Sequence, residues 1–157
     1  MKTTIGITDK NRQAVAEHLH AILADEFVLY TKTRNAHWNV EGADFYDKHL
    51  FFEKQYNQLA DMFDRLAERI RFLGHYTPAT LKQFLELTHL TEMIHETNDS
   101  LGFIKELNED HNTIITEMRK IIVPIAEEYK DQGTSDFITG LMEEHEKMAW
   151  ILRSHLR

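Results

Sequence analysis

The 157-residue sequence contains no cysteine and only two prolines. Without cysteine the chain has no disulfide, no thiolate nucleophile and no zinc finger, which is compatible with a reducing cytoplasm. No run approaches the roughly 18 apolar residues of a membrane-spanning helix. The opening residues MKTTIGITDK also have no apolar stretch like that of a signal peptide. We therefore expect a soluble, cytoplasmic protein that does not enter a membrane.

Acidic residues outnumber basic ones in this sequence. The chain has 26 Asp and Glu against 18 Lys and Arg, so its net charge is -8 with neutral histidines. Such a charge opposes non-specific binding to polyanions and favours attraction of cations. Hydrophobic residues make up 42% of the sequence, which is enough for one core. We expect a single domain over residues 1–157, with residues 1–8 as a short lead.

Apolar residues recur every three or four positions in four long segments, the pattern of helices buried on one side. The first predicted helix is capped by Thr8 or Asp9 and runs to residues 36–38. The second lies between Asp44, whose carboxylate can accept the free N–H groups of a helix start, and Gly74, which suits a left-handed residue after a helix end.

The rest of the chain adds one short helix and two long ones. Thr77-Pro78 predicts the start of a short helix over residues 79–87, inside a connection of roughly two dozen residues that lets the flanking long helices run parallel. The third long helix begins at residues 98–100 and ends at Gly133, and residue 134 or 135 caps the fourth. The sequence therefore predicts an all-α four-helix bundle with a short helix in the crossover between the second and third long helices.

One face of the second helix carries side chains that bind metal ions. At about 100° per residue, four of them share an arc of about 100°: His49, Glu53, Asp64 and Glu68. Each couple is spaced by four residues and can reach a common point. The couples are roughly 20 Å apart along the axis at about 1.5 Å per residue, too far to share an ion. A two-fold axis near residues 58–59 would set His49 and Glu53 against Asp64 and Glu68 of an antiparallel copy.

The same residues have a simpler interpretation. Long helices usually carry charge outward, so any one of these carboxylates can be a solvated side chain. His37 continues the seven-residue steps of the buried face of the first helix, from Ala16 through Leu23 and Tyr30. A lone histidine in that position is more often a core residue than a ligand. Its proximity to His49 across a short turn favours the ligand interpretation.

The chain resembles the Dps family of mini-ferritins in several motifs, and the resemblance covers nearly the whole sequence. The motifs are His37-Trp38-Asn39-Val40, His49-x-x-x-Glu53, Asp64-x-x-x-Glu68-Arg69-Ile70 and the closing segment from His145 to Arg153. The resemblance implies a ferritin-like bundle assembled from two-fold dimers into a hollow shell of twelve subunits. It also implies ferroxidase activity: Fe(II) is oxidised at two-metal sites between subunits, preferably by hydrogen peroxide, and ferric mineral is stored inside against oxidative stress.

Carried over residue by residue, the resemblance sets His37, His49 and Glu53 of one chain against Asp64 and Glu68 of its partner. Glu68 would bridge two ions. Members of the family usually have Asp in place of Glu53, and the extra methylene would move the second metal position or change its occupancy. Imidazole and carboxylate ligands with open positions suit iron, and zinc or other divalent ions can substitute.

Other roles stay open. Some members of the family condense DNA through a Lys-rich tail, which would make this protein a structural component of the nucleoid. Here the lead carries only Lys2, followed by Lys10 and Arg12, so we expect weak or absent DNA binding. A bundle that binds zinc without turnover is a third possibility.

Two further assignments concern other parts of the proposed shell. Trp38 is expected to pack in the core or at an interface, with electron donation during peroxide reduction as a lesser alternative. The resemblance also points to acidic residues near the third-to-fourth helix junction as the iron entry route, although charges at helix ends are more often solvated. These residues are Glu127, Glu128, Asp131 and Asp136.

Overall fold

The computed structural model describes residues 3–92 and 95–157, so Lys2 of the predicted lead lies outside the described residues. Within these residues the chain forms five helices: α1 (Asp9–Asn39), α2 (Phe45–Phe72), α3 (Leu81–Leu87), α4 (Ser100–Glu127) and α5 (Gln132–Ser154). The long helices form a bundle, and α3 lies in the crossover between α2 and α4. The predicted architecture is confirmed.

Contacts at the helix ends define the directions of the helices. Arg12, early in α1, donates from Nε to the backbone oxygen of Leu73, just after α2, at 3.0 Å. The α1 and α2 helices are therefore antiparallel. The backbone N–H of Glu41, before α2, donates to the backbone oxygen of Asn98, before α4, at 3.0 Å. Because α2 and α4 begin side by side, they run in the same direction, as the long connection predicts. A short turn over residues 128–131 then returns α5 along α4.

The predicted caps of the first two helices are only partly correct. Thr8 caps α1, since its hydroxyl accepts from the backbone N–H of Asn11 at 3.2 Å. Gly74 has a positive φ of 88°, which confirms the left-handed residue after α2. Asp44 precedes α2 but makes no side-chain cap. Its Oδ2 accepts instead from the hydroxyl of Ser100 at 2.6 Å, so the carboxylate joins the starts of α2 and α4.

The start of α3 also differs from the prediction. The helix begins at Leu81, after Thr80, whose hydroxyl accepts from the backbone N–H of Gln83 at 3.2 Å. Thr77-Pro78 therefore does not start the helix. The helix starts later because Thr80, three residues after Thr77, has an extended backbone and its side chain caps the helix directly.

The junction between α4 and α5 lies earlier than Gly133. The α4 helix ends at Glu127, and Lys130 takes the left-handed conformation with φ 60°. Asp131 then caps α5, because its Oδ1 accepts from the backbone N–H of Thr134 at 2.9 Å. Gly133 consequently lies in the first turn of α5 rather than at the end of α4. A strong aspartate cap outweighs the helix-ending tendency of the glycine.

One hydrophobic cluster joins the long helices and α3, with Phe52 and Phe103 among its largest fully buried side chains. Most of the predicted apolar stripes face this core. Three residues near the helix ends do not: Phe45, Leu101 and Leu156 are 43%, 54% and 41% exposed. None of the helices in residues 3–92 and 95–157 combines the length and apolarity that crossing a bilayer requires.

Candidate metal centre

His37 and His49 meet where α1 ends and α2 begins. The Nδ1 atom of His37 lies 2.8 Å from the backbone oxygen of His49, and the Nδ1 atom of His49 lies 2.8 Å from the backbone oxygen of His37. Their rings stack with centroids 3.8 Å apart. Because a carbonyl oxygen only accepts, each Nδ1 must carry the hydrogen. The lone pair of each neutral imidazole is then on Nε2, the atom that binds a metal ion.

Aromatic contacts hold this histidine pair in place. The ring of Tyr56 meets His37 edge-on with centroids 5.2 Å apart. The guanidinium carbon of Arg34 lies 4.2 Å from the centroid of Tyr56, which adds a cation–π contact behind the tyrosine. The ring of Phe45 lies 5.3 Å from His49. The rotamers of both histidines are therefore restrained before any ion binds.

The predicted carboxylate ligands follow along α2. Glu53 is half-buried one turn after His49, whereas Asp64 and Glu68 are exposed in the later half of the helix. In the described part of the chain, no three His, Asp or Glu side chains are positioned to hold a metal ion together. A single chain therefore carries the predicted ligands as separate parts, and their assembly into one site stays a prediction.

The two arginines beside these carboxylates are bound to other groups. Arg65 pairs with Asp61 and Glu144 at 2.8 and 2.9 Å. Arg69 donates from Nε to the hydroxyl of Thr134 at 3.0 Å. Within residues 3–92 and 95–157, the side chains of Asp64 and Glu68 have neither an ion pair nor a hydrogen bond. Two exposed negative charges on one helix face are thus left for a cation or a second molecule.

The predictions for Trp38 and for the acidic junction need correction. Trp38 is 63% exposed and stacks on Arg34, whose guanidinium carbon is 4.9 Å from the ring centroid. It is not part of the core of this chain, and interface packing stays a prediction. Among the acidic residues, Asp131 is buried and already accepts from Thr134 and Arg69. It therefore does not fit the predicted pore lining.

Sequence reasoning missed a buried polar chain in the centre of the bundle. His145 on α5 donates from Nε2 to Oε1 of Glu26 on α1 at 2.5 Å, and its Nδ1 lies 2.8 Å from Nδ1 of His111 on α4. Complete burial, followed by the charge of His145, lowers the pKa of His111 well below its usual range. The other oxygen of Glu26, Oε2, is buried and has no hydrogen-bond partner among the described residues. The sequence does indicate that Glu26 is buried, because it lies on the apolar stripe between Ile22 and Leu29.

A second buried network surrounds Lys32 of α1. Its ammonium group lies 2.9 Å from Oε1 of Glu106 and 2.6 Å from Oδ2 of Asp110, both on α4. It also donates to the backbone oxygen of Thr91 at 2.9 Å. Burial raises the pKa of Asp110 to about 6, against the opposing effect of Lys32. These contacts tie α1 to α4 and to the connection before it.

Two histidines that had no interpretable partner in the sequence are paired with carboxylates. His89 donates to Asp25, and His95 is bound to Glu106. In both cases the partner belongs to another element of the fold. Local spacing therefore could not reveal it.

Comparison with known proteins agrees with the helical bundle. The ferritin-like domain family matches residues 16–157. The chain is 37% identical over 147 residues to DNA protection during starvation protein 2 of Bacillus anthracis, covering 93% of this chain and 98% of that protein. It is 40% identical over 155 residues to an uncharacterized low temperature-induced protein of Nostoc sp., covering 99% of this chain and 87% of that protein.

Solved structures give the same result. The DPS protein of Vibrio cholerae O1, described as a member of the ferritin-like diiron-carboxylate proteins, superimposes with a TM-score of 0.91 at 30% identity. The match covers 100% of this chain and 98% of that protein. Fold and sequence together define a ferritin-like protein. Within that class, the chain belongs to the Dps family.

Proposed function

We propose that this protein is a mini-ferritin that oxidises Fe(II) at sites between two-fold-related subunits and stores the ferric product inside a hollow dodecamer. Iron storage and protection against stress follow from this activity. One observation carries the proposal. The reciprocal hydrogen bonds of His37 and His49 leave two Nε2 lone pairs on one chain, while Asp64 and Glu68 lie uncompensated further along α2.

In this proposal each site combines two chains. His37, His49 and Glu53 of one subunit approach Asp64 and Glu68 of an antiparallel partner across a two-fold axis. Imidazole nitrogen and carboxylate oxygen are both suitable ligands for iron, and an incomplete coordination shell leaves room for an oxidant. Zinc or another divalent ion would compete for the same ligands.

The proposed reaction consumes Fe(II) and hydrogen peroxide as substrates. Each Fe(II) gives up one electron. Hydrogen peroxide accepts two electrons and two protons as its O–O bond breaks, which yields two molecules of water. Removal of both reagents would prevent the formation of hydroxyl radicals in the cytoplasm.

The test is stopped-flow absorbance after Fe(II) and hydrogen peroxide are mixed with the purified oligomer. The variant Asp64→Asn/Glu68→Gln should keep the helical circular dichroism of the native protein and lose rapid iron oxidation. Glu109→Gln/Glu143→Gln removes two exposed negative charges on α4 and α5 and should oxidise iron at the native rate. Equal rates in all three proteins would overturn the proposal.

A structural role on DNA is the second candidate, since several relatives are named for DNA protection during starvation. The net charge of -8 opposes it, because release of counterions from DNA requires clustered cations. A gel shift of duplex DNA by the oligomer, without added metal, would support this role. The stopped-flow experiment also separates iron oxidation from passive zinc binding.

A further inference from the structure

A second pair of metal-binding side chains lies away from His37 and His49, where the connection after α3 meets α4. Asp25 of α1 is 0% exposed and organises this place. Its Oδ1 accepts from the hydroxyl of Thr88 at 2.7 Å and from the backbone N–H of His89 at 2.6 Å. Its Oδ2 accepts from Nδ1 of His89 at 2.7 Å. Both oxygens of the buried carboxylate are thus used to fix the backbone and the ring of His89.

The free nitrogen of His89 points towards a second carboxylate. Because Nδ1 carries the hydrogen, the lone pair of the neutral ring is on Nε2. This atom lies 3.8 Å from Oε2 of Glu117 on α4, which is beyond hydrogen-bonding distance. The side chain of His89 is 40% exposed and that of Glu117 is 21% exposed. An ion can therefore reach both atoms from solvent.

The separation of these two atoms is close to that of ligands on one metal ion. Two ligands about 2.1 Å from a tetrahedral zinc ion are about 3.4 Å apart. The observed 3.8 Å therefore needs to close by only a few tenths of an ångström. Half-exposed side chains can make that movement by small changes in their χ angles.

We propose that His89 and Glu117 bind a divalent transition-metal ion of the zinc class, with Asp25 holding the imidazole in position. A carboxylate that accepts from the second nitrogen of a ligating histidine is the usual support of such ligands, since it fixes the tautomer and makes the imidazole a better donor. Water would complete the coordination shell. The ion would tie the connection after α3 to α4, and through Asp25 to α1.

Other charged groups near the pair set the expected affinity. Lys120 lies 2.6 Å from Oε1 of Glu117, which leaves Oε2 for the ion but weakens its attraction. A protonated His89 between Asp25 and Glu117 would be the competing arrangement and needs no metal. Mildly alkaline pH favours the metal-bound form, because an imidazole must lose its proton to become a ligand.

The experiment uses the full-length oligomer in a His37→Gln/His49→Gln/Asp64→Asn/Glu68→Gln background, so that the proposed iron site does not contribute. Crystals soaked with Zn(II) should give an anomalous difference peak between Nε2 of His89 and Oε2 of Glu117. Calorimetric titration with Zn(II) at pH 7.5 should detect one binding event per chain that is absent in His89→Gln. Glu117→Gln should weaken it by at least tenfold, and Asp25→Asn by about 10 to 100-fold.

His75→Gln and Glu109→Gln are the matched controls and should leave this binding event unchanged. Asp25→Asn also loses contacts to the chain after α3, so its circular dichroism is compared with that of the native protein. If it does not fold, the anomalous peak and the His89→Gln titration decide the matter. Absence of the peak, or an unchanged titration in His89→Gln, would overturn the proposal whether or not the protein oxidises iron.

Discussion

His37 and His49 each donate from Nδ1 to the backbone oxygen of the other, at 2.8 Å in both directions. Neither ring can therefore rotate without breaking a hydrogen bond made by its own residue and disturbing the backbone of its neighbour. The two histidines therefore hold each other in position, and they link the end of α1 to the start of α2.

The first prediction concerns this pair. His37→Gln and His49→Gln should each slow the initial rate of peroxide-dependent iron oxidation by at least tenfold, because each change removes one Nε2 ligand and the orientation of the other. Stopped-flow absorbance measures the rates. His155→Gln, at the end of α5, should retain the native rate. Similar rates in all four proteins would show that the histidine pair is structural.

The second prediction concerns Glu53. If its extra methylene displaces the second metal position, Glu53→Asp should tighten binding of the weaker of two ions at each site by several-fold. Calorimetric titration with Zn(II) under one set of buffer conditions measures both affinities. Glu53→Gln keeps the length and removes the charge, so it should weaken that ion instead. Tighter binding in Glu53→Gln than in Glu53→Asp would contradict the assignment.

The third prediction concerns the buried chain of Glu26, His145 and His111. His145→Ala leaves the carboxylate of Glu26 buried without its partner, which should lower the free energy of unfolding by about 3 to 5 kcal/mol. The double variant Glu26→Leu/His145→Leu removes both polar groups and should be the more stable of the two. Denaturant titration at fixed protein concentration compares them, since assembly contributes to stability. A double variant less stable than His145→Ala would refute this account.

The fourth prediction concerns Asp110. Burial raises its pKa from 3.8 to about 6, so between these values the folded chain binds more protons than the unfolded chain. Its contribution to stability is therefore fully present below pH 3.8 and is lost as the pH rises through about 6, by at most about 3 kcal/mol. Asp110→Asn should not show this loss. The free energy of unfolding of the native protein, relative to that of Asp110→Asn, should therefore fall as the pH rises through this range. A difference that stays constant with pH would contradict the prediction.

The sequence predicted the long helices because apolar residues at three- and four-residue steps report burial directly. Leu59 and Met118 lie where the pattern required. The exact helix ends were harder to predict, because several nearby polar side chains can accept from the free N–H groups of a helix start. The carboxylate of Asp44 accepts from Ser100, a residue of another helix, instead of capping α2. A rule based on neighbouring residues cannot predict such a partner.

The candidate site was predictable to the same degree. His37 and His49 could be brought together because only a short turn separates their helices. The buried pairs of Glu26 with His145 and Lys32 with Glu106 connect residues far apart in the chain. The position of Glu26 between Ile22 and Leu29 indicates that it is buried, but nothing local identifies its partner on α5.

The side-by-side start of α2 and α4 has a consequence for motion. Helix ends usually fray, and amide hydrogens there exchange quickly with solvent. Here the turn between α1 and α2 is fastened to the start of α4 by the Glu41 to Asn98 and Ser100 to Asp44 hydrogen bonds. The amide of Glu41 should consequently exchange slowly with deuterium, so that the corner next to the histidine pair is among the most rigid exposed parts of the molecule.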